Sequence, residues 1–239
     1  PSGFVTTRGQ AVVIKEPKYT SQAQTAYISA FFQSFEDAVF AKDGIDKKSG
    51  KHFSEFVDME SLVKKYVLEE VLKNFDANRS SLYFYKPADS QSPLAFAGPA
   101  WDYDIAMGNY AIPRNRRLLN PENFSVNNDR GQPFYWFPAL YKHESFQREV
   151  ARVFQENFLP PLRALLGEGA LGAMPSLKDY AEETAAAAAM NFVRWPVFNS
   201  AKRYVKTGRD YAENIAYIRT FLTGRTAFLE AAWPLPQAP

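Results

Sequence analysis

The sequence has no cysteine and only two histidines, His52 and His143. The first absence excludes a thiol nucleophile, a disulfide, a zinc–thiolate knuckle and an iron–sulfur cluster. The second excludes a three-histidine metal site, and a Ser-His-Asp triad would have to use one of those two rings. No apolar run reaches the roughly 18 residues that a membrane span needs. Charge of one sign is also scarce. The net charge is +2 over 239 residues, and without a dense Lys/Arg cluster this does not point to nucleic acid as a partner. An initial Met is missing too: the chain begins Pro1-Ser2-Gly3. It is expected to be a processed, cloned or partial piece from which any targeting segment is lost. The lack of cysteine is compatible with an oxidising compartment. Chemistry here must therefore rest mainly on carboxylates, Lys and Arg, Asn and hydroxyls.

What is present is aromatic mass, with 20 Phe, 13 Tyr and 4 Trp to build a core. The length suits one large domain or two small ones, and needs no metal or disulfide staple to fold. Residues 4–7 and 11–14 read as two short strands around the turn Arg8-Gly9-Gln10, a hairpin closed by Lys15-Glu16-Pro17. A helix is predicted from Ser21 to Lys42. Ser21 and Gln24 fit a capping box, and Tyr27, Ile28, Phe31, Phe32, Phe35, Ala38 and Val39 recur at helical spacing. A polar loop over 43–52 follows, then a helix over Met59–Lys73 with Asp58 as its N-cap. Residues 82–85, 94–97 and 101–105 are short, aromatic and separated by turn residues, which predicts strands. The stretch 108–138 reads as a long loop with short pieces of helix. Four helices are expected after it: one over Ser145–Phe158, one starting near Leu162 after Pro160-Pro161, one from Ser176 to Val193, and one over Asp210–Ala232. Trp195-Pro196 should break the third, and the tail Pro234–Pro239 should fray. The class is α+β and mostly helical.

Three segments have the residue types for chemistry. In Trp101-Asp102-Tyr103-Asp104, a strand would put Asp102 and Asp104 on one face, about 6.5–7 Å apart between Cα atoms. Two like charges so placed need compensation, and a divalent cation or a substrate proton supplies it. The ordinary alternative is two acids at a strand end paired with arginines. In Asn74-Phe75-Asp76-Ala77-Asn78-Arg79, Asn and Asp follow a helix directly, which is also what stopping a helix requires. Val12-Val13-Ile14-Lys15 superficially matches the strand lysine that pairs with nucleotide phosphates in protein kinases, although only Gly3 precedes it where a Gly-rich loop would be. A lysine at a strand end is the plainer reading. The basic stretch Arg114, Arg116, Arg117 suits a phosphate or a solvated loop equally. His52 and His143 are read as structural or solvated.

Taken in order, these segments resemble the CotH (spore-coat protein H) kinase family of atypical, secretory-type protein kinases. The likeness runs through Val13-Ile14-Lys15-Glu16-Pro17, Phe56-Val57-Asp58-Met59-Glu60-Ser61-Leu62, Asn74-Phe75-Asp76 and Leu82-Tyr83-Phe84-Tyr85-Lys86. Its most specific piece is Gly98-Pro99-Ala100-Trp101-Asp102-Tyr103-Asp104-Ile105-Ala106-Met107-Gly108-Asn109. It continues through Asn191-Phe192-Val193-Arg194-Trp195 and Leu222-Thr223-Gly224-Arg225-Thr226-Ala227-Phe228-Leu229. The resemblance implies a protein-kinase-like C-terminal lobe whose short strands carry the acidic site, with the N-terminal lobe largely absent. The whole of 1–239 would be one such domain piece, with 1–17 a hairpin remnant of the N-terminal side and 18–239 the helical lobe. It implies ATP and Mg²⁺ as cofactors, a protein substrate, and a secreted, cell-surface or spore-associated location. By residue, it implies Asp76 as the catalytic acid that orients or deprotonates the acceptor hydroxyl, and Asp102 as a Mg²⁺ ligand. Asp104 would be a second ligand or a support. Five positions after Asp76, where kinases carry a metal-binding Asn, stands Ser81, with Asn78 nearer. Lys15 and Asn78 are the nucleotide-binding candidates. Two other functions fit the same acids: a degenerate kinase fold used for protein contacts, and a glycoside hydrolase, whose paired carboxylates also sit among aromatics.

Overall fold

Ser21 starts the longest element of the N-terminal half. Its hydroxyl accepts from the Gln24 amide N–H, and the Gln24 side chain accepts from the Ser21 N–H. This reciprocal cap satisfies two donors that a helix end leaves open. The computed structural model describes residues 2–110, 116–128, 132, 135–198 and 208–235. It is α+β and mostly helical, with two small sheets. Strands β1 (Gly3–Val5) and β2 (Ala11–Val13) form the expected antiparallel hairpin, with Phe4 opposite Val12. Helix α1 spans Gln22–Phe40 and α2 spans Met59–Leu72. The Asp58 carboxylate accepts from the Ser61 N–H at 2.8 Å, as its expected cap role requires. Strands β3 (Phe84–Tyr85) and β4 (Phe96–Ala97) pair antiparallel but are only two residues each. Then come α3 (Arg116–Leu119), α4 (Trp136–Leu140), α5 (Glu144–Val153), α6 (Leu159–Leu166), α7 (Leu177–Arg194) and α8 (Tyr211–Ala232). No helix among the described residues is long and apolar enough to cross a membrane.

Two expectations are corrected. Residues 101–105 form no strand: Asp102 has φ of +64°, in the left-handed region, and Asp104-Ile105 form a turn. Extended pairing cannot pass through such a residue. Pro160-Pro161 do not separate two helices either. They occupy the first turn of α6, where a missing N–H costs little. The turn just before, Phe154–Phe158, widens into a π-helix, and the Leu159 N–H reaches back to the Phe154 carbonyl. The helical path therefore continues from α5 into α6.

The chain divides into two compact units. The first comprises Pro1–Lys65, Asn78–Trp101 and Val126–Gln147, and the second Tyr66–Ala77, Asp102–Ser125 and Arg148–Pro239. In the first, Phe32, Phe35, Ala38 and Val39 of α1 are buried at the predicted spacing. Phe32 stacks on Trp136 of α4 with ring centroids 5.7 Å apart, and Phe35 and Phe84 meet the same indole edge-on. Within this aromatic core lies the fully buried Glu36. Its carboxylate accepts from the Thr6 hydroxyl (2.8 Å) and the Trp136 indole N–H (3.1 Å), tying the end of the hairpin to two helices. Both histidines have structural partners. His52 Nδ1 caps the short 3₁₀ turn Phe53–Glu55, and His143 Nε2 lies 2.8 Å from the Val39 carbonyl oxygen.

In the second unit, Leu166, Phe221 and Leu222 form a buried cluster against which Met107, Leu165 and Ile218 pack. Trp233, just beyond α8, closes another apolar group with Tyr66, Phe124 and Phe154. Helix α7 has the predicted Ser176/Asp179 capping box but buries none of its residues.

Candidate active site

Helix α2 ends at a residue whose backbone is unusual for its type. Lys73 has φ of +50°. Its N–H reaches the Glu70 carbonyl and the next N–H, from Asn74, reaches the Glu69 carbonyl, both at 3.2 Å. That pair of bonds is a Schellman ending, in which the left-handed position is usually Gly. A Cβ there costs on the order of 1 kcal/mol. The helix therefore stops one residue before the Asn and Asp to which the sequence pattern assigned that task. Asn74 instead shapes the next turn: its Oδ1 accepts from the Asp76 N–H at 3.1 Å. Asn74 is buried, and its amide Nδ2 has no hydrogen-bond partner among the described residues.

The turn carrying Asp76 is tied to the acidic segment by backbone bonds. The Phe75 N–H donates to the Ile105 carbonyl (3.0 Å), and the Met107 N–H donates to the Leu72 carbonyl (2.6 Å). The Phe75 ring stacks on Tyr110, 4.8 Å between centroids. Met107 anchors the far end of the segment on the Leu166–Phe221–Leu222 cluster. Next to it Gly108, with φ of +74°, lies against Tyr217 and Phe221 so closely that a Cβ would clash. The Tyr217 hydroxyl donates to the Gly108 carbonyl at 3.1 Å.

Within the segment, Asp102 and Asp104 are exposed while Tyr103 between them is half-buried. The alternation expected of a strand thus survives in exposure, although the strand does not form. The Tyr103 hydroxyl donates to Glu69 Oε1 of α2 at 2.8 Å. Burial and the Glu69 carboxylate push this phenol far above its ordinary range, so it remains a donor. The Asp104 backbone carbonyl accepts from the Asn109 side chain (2.8 Å). Among the described residues, the carboxylates of Asp76 and Asp104 accept no hydrogen bond and form no ion pair. Asp76 is half-buried, where an unbonded charge is expensive unless something else meets it. The structure therefore brings Asp76, Asp102 and Asp104 onto two bonded segments of the second unit.

Lys15 and Asn78 belong to the first unit. Lys15 is exposed two residues beyond β2. Asn78 is buried, and its amide Nδ2 donates to the Val126 carbonyl at 2.7 Å, leaving Oδ1 as its further polar atom. Ser81, also in the first unit, has φ of +55°. Of the basic stretch, Arg114 lies outside the described residues, as does the side chain of Arg116. Arg117 donates through Nε and Nη2 to the Phe124 carbonyl.

Sequence reasoning missed the polar network behind this site. Glu70 and Arg225 are both fully buried and form an ion pair at 2.7 Å. Arg225 also donates to the carbonyls of Glu70, Pro121 and Asn123. Burial pushes the Arg225 guanidinium down, and the Glu70 carboxylate opposes that. Glu70 Oε1 further accepts the Ser125 N–H at 2.5 Å. Lys73, with 1% of its surface exposed, donates to a set of oxygens on residues 117–123, at the end of α3 and in the turn after it. No local spacing signals these partners, because most of them are backbone carbonyls far along the chain.

No group of three or more His, Asp or Glu among the described residues is arranged to hold a metal by itself. The donors do suit Mg²⁺ of the kind shared with a substrate, which takes one or two carboxylates plus phosphate oxygens. Exposed Asp102 and Asp104 are hard oxygen donors of that type.

A family model described as CotH kinase protein matches residues 5–229, nearly the whole chain. No curated protein and no solved structure matches the chain.

Proposed function

Since this chain belongs to the CotH kinase protein family, we propose that it transfers the γ-phosphoryl group of ATP to hydroxyl groups of a protein substrate, on a protein-kinase-like C-terminal lobe. The observation that carries the reading is the bonded pair of segments. The Phe75-to-Ile105 and Leu72-to-Met107 links hold Asp76 and the Asp102–Asp104 segment together, with the Asp76 carboxylate half-buried and unbonded among the described residues.

In this reading Asp76 accepts the proton of the acceptor hydroxyl, or orients that hydroxyl toward the phosphorus. A carboxylate with no competing donor has its lone pairs available for that contact. Asp102 and Asp104 would hold Mg²⁺, which when bound neutralises charge on the phosphate oxygens. The left-handed backbone at Asp102 is strained for a residue with a Cβ, and strained residues of this kind cluster at functional sites. Tyr103 fixes the segment between the two acids through Glu69. Lys15 and Asn78, both on the first unit, are nucleotide-binding candidates through the family resemblance alone.

Calorimetry with Mg-ATP and a radiolabelled autophosphorylation assay test this reading. Asp76→Ala should lower the rate by about 10²–10⁴-fold while nucleotide still binds. Asp102→Ala should abolish Mg-ATP binding, and unchanged binding would remove its metal role. No transfer by the unsubstituted protein would favour a protein-contact module, and release of reducing sugar from a glycan panel would favour hydrolysis.

A further inference from the structure

Among the described residues, the ammonium of Lys73 donates to four oxygens. They are the carbonyls of Arg117 (2.9 Å), Asn120 (2.6 Å) and Asn123 (3.2 Å), and Oδ1 of Asn123 (2.6 Å). An ammonium offers three N–H donors in a compact, strongly hydrated charge. Here residues 117–123 take the place of that hydration and wrap the charge as they would wrap a bound cation. The Asn123 carbonyl is shared, since Arg225 Nη1 also donates to it at 2.6 Å. Arg225 fastens Pro121 as well, and Glu70 fastens Ser125. Two of these three charged groups, Glu70 and Lys73, stand at the end of α2. The turn bearing Asp76 leaves the helix directly after Lys73.

The identity of residue 73 sharpens the point. Its backbone lies at φ +50°, where Gly is favoured and a Cβ is strained. A lysine at such a position needs a reason that lies in its side chain. The buried cage of oxygens supplies one.

We propose that Lys73 is a positioning residue. Its ammonium serves as a tethered internal cation that clamps residues 117–123, the end of α3 and the turn after it, onto the end of α2 and so fixes the direction in which the Asp76 turn leaves the helix. The catalytic consequence rests on the phosphoryl-transfer reading; the clamp itself does not. Lys73 touches no reacting atom in this scheme and acts through Asn74, Phe75 and Asp76.

The test uses the full chain with Lys73→Met, which keeps an apolar stem and removes the charge, and Asn123→Ala, which removes one of the four oxygens and leaves every carbonyl. Site-resolved amide hydrogen exchange is read at Phe75, Met107 and Ser125, with α1 amides as the internal reference. Exchange at these three should rise about tenfold or more in Lys73→Met, as expected for local opening. It should rise in the same pattern, but less, in Asn123→Ala. A rise confined to 117–125 with Phe75 and Met107 unchanged overturns the clamp. So does a uniform rise that includes α1 in both variants. Steady-state transfer from Mg-ATP separates positioning from general loosening. The kcat should fall on the order of tenfold to a hundredfold with KM for ATP held within about twofold. A raised KM with unchanged kcat overturns the catalytic part. If the unsubstituted protein transfers no phosphoryl group, the kinase reading fails and the exchange pattern alone decides the clamp.

Discussion

Arg225 carries a full charge into complete burial, where it faces the equally buried Glu70 at 2.7 Å. Removing one partner of such a pair strands the other in a low-dielectric interior. Arg225→Ala should therefore destabilise the protein by about 3–5 kcal/mol in urea unfolding. Replacing Glu70 and Arg225 together by Met should recover part of that loss, because neither member of the pair is then left without the other. A double variant no more stable than Arg225→Ala would mean that the carbonyl contacts outweigh the ion pair. At this scale the sequence was legible only in part. Asp102 and Asp104 stand out because acids among aromatics are unusual company, whereas Asp76 follows a helix end, where an acid is ordinary, and is singled out only by the family resemblance. Lys73, Glu70 and Arg225 do not stand out. Lys73 meets oxygens 44 to 50 positions away, and Arg225 meets Glu70 across 155. Their acceptors are largely backbone carbonyls, which every residue possesses, so no pattern of side chains announces them.

Helices were the readable elements, because their ends are written in side chains. Ser21 with Gln24, Asp58, and Ser176 with Asp179 each cap where the sequence predicts. The segment 101–105 was misread because its aromatics suit a strand, while its backbone turns at Asp102 and bonds to the end of α2 instead. Pro160-Pro161 misled for a similar reason: prolines stop a helix from inside but sit well in a first turn, here after a π-helical stretch. Among the helices α7 is the one most dependent on its cap. It buries no residue, and Met190 and Val193 are 75% and 86% exposed. Ser176→Ala should cost about 1 kcal/mol locally. The amides of α7 should then exchange faster, while those of α6 and α8 hold. Equal acceleration in all three would show that α7 opens only together with its neighbours.

For the molecule as a whole, acid is the condition that weakens the first unit. Burial raises the affinity of the Asp46 carboxyl for protons, but hydrogen bonds from the Ser49 hydroxyl, the Lys48 and Ser49 amides and the Ser34 hydroxyl outweigh it and hold the group below its usual range. A depressed carboxylate contributes stability above its unfolded pKa, and that stability is lost as pH falls through the folded value. Burial, and the neighbouring His143, also push His52 below its ordinary value. For a base the unfolded chain then takes the proton first, so stability declines as pH falls below roughly 6.5. Thermal melts from pH 8 to pH 3 should show both losses. Asp46→Asn should melt lower than the unsubstituted protein at pH 7 and converge with it in acid. A constant gap across that range would mean that the Asp46 charge has no part in it. The class, the main helices and the family are readable from the sequence, because they follow from apolar spacing, caps and a long ordered likeness. The division into two units is not, since neither unit is a continuous stretch of chain.

The strained end of α2 bears on how substitutions at that position would be tolerated. Most helix endings reward the residues that suit the backbone, and Gly or Asn would relax φ at position 73. Those same residues would withdraw the ammonium from four oxygens, of which the Asn123 carbonyl alone keeps a cationic donor, Arg225. Local preference and tertiary demand therefore pull in opposite directions at this one residue, a point of frustration retained in an otherwise consistent sequence. A library of all substitutions at Lys73, sorted for folded protein, should be depleted in the very residues that a backbone-based redesign would choose first.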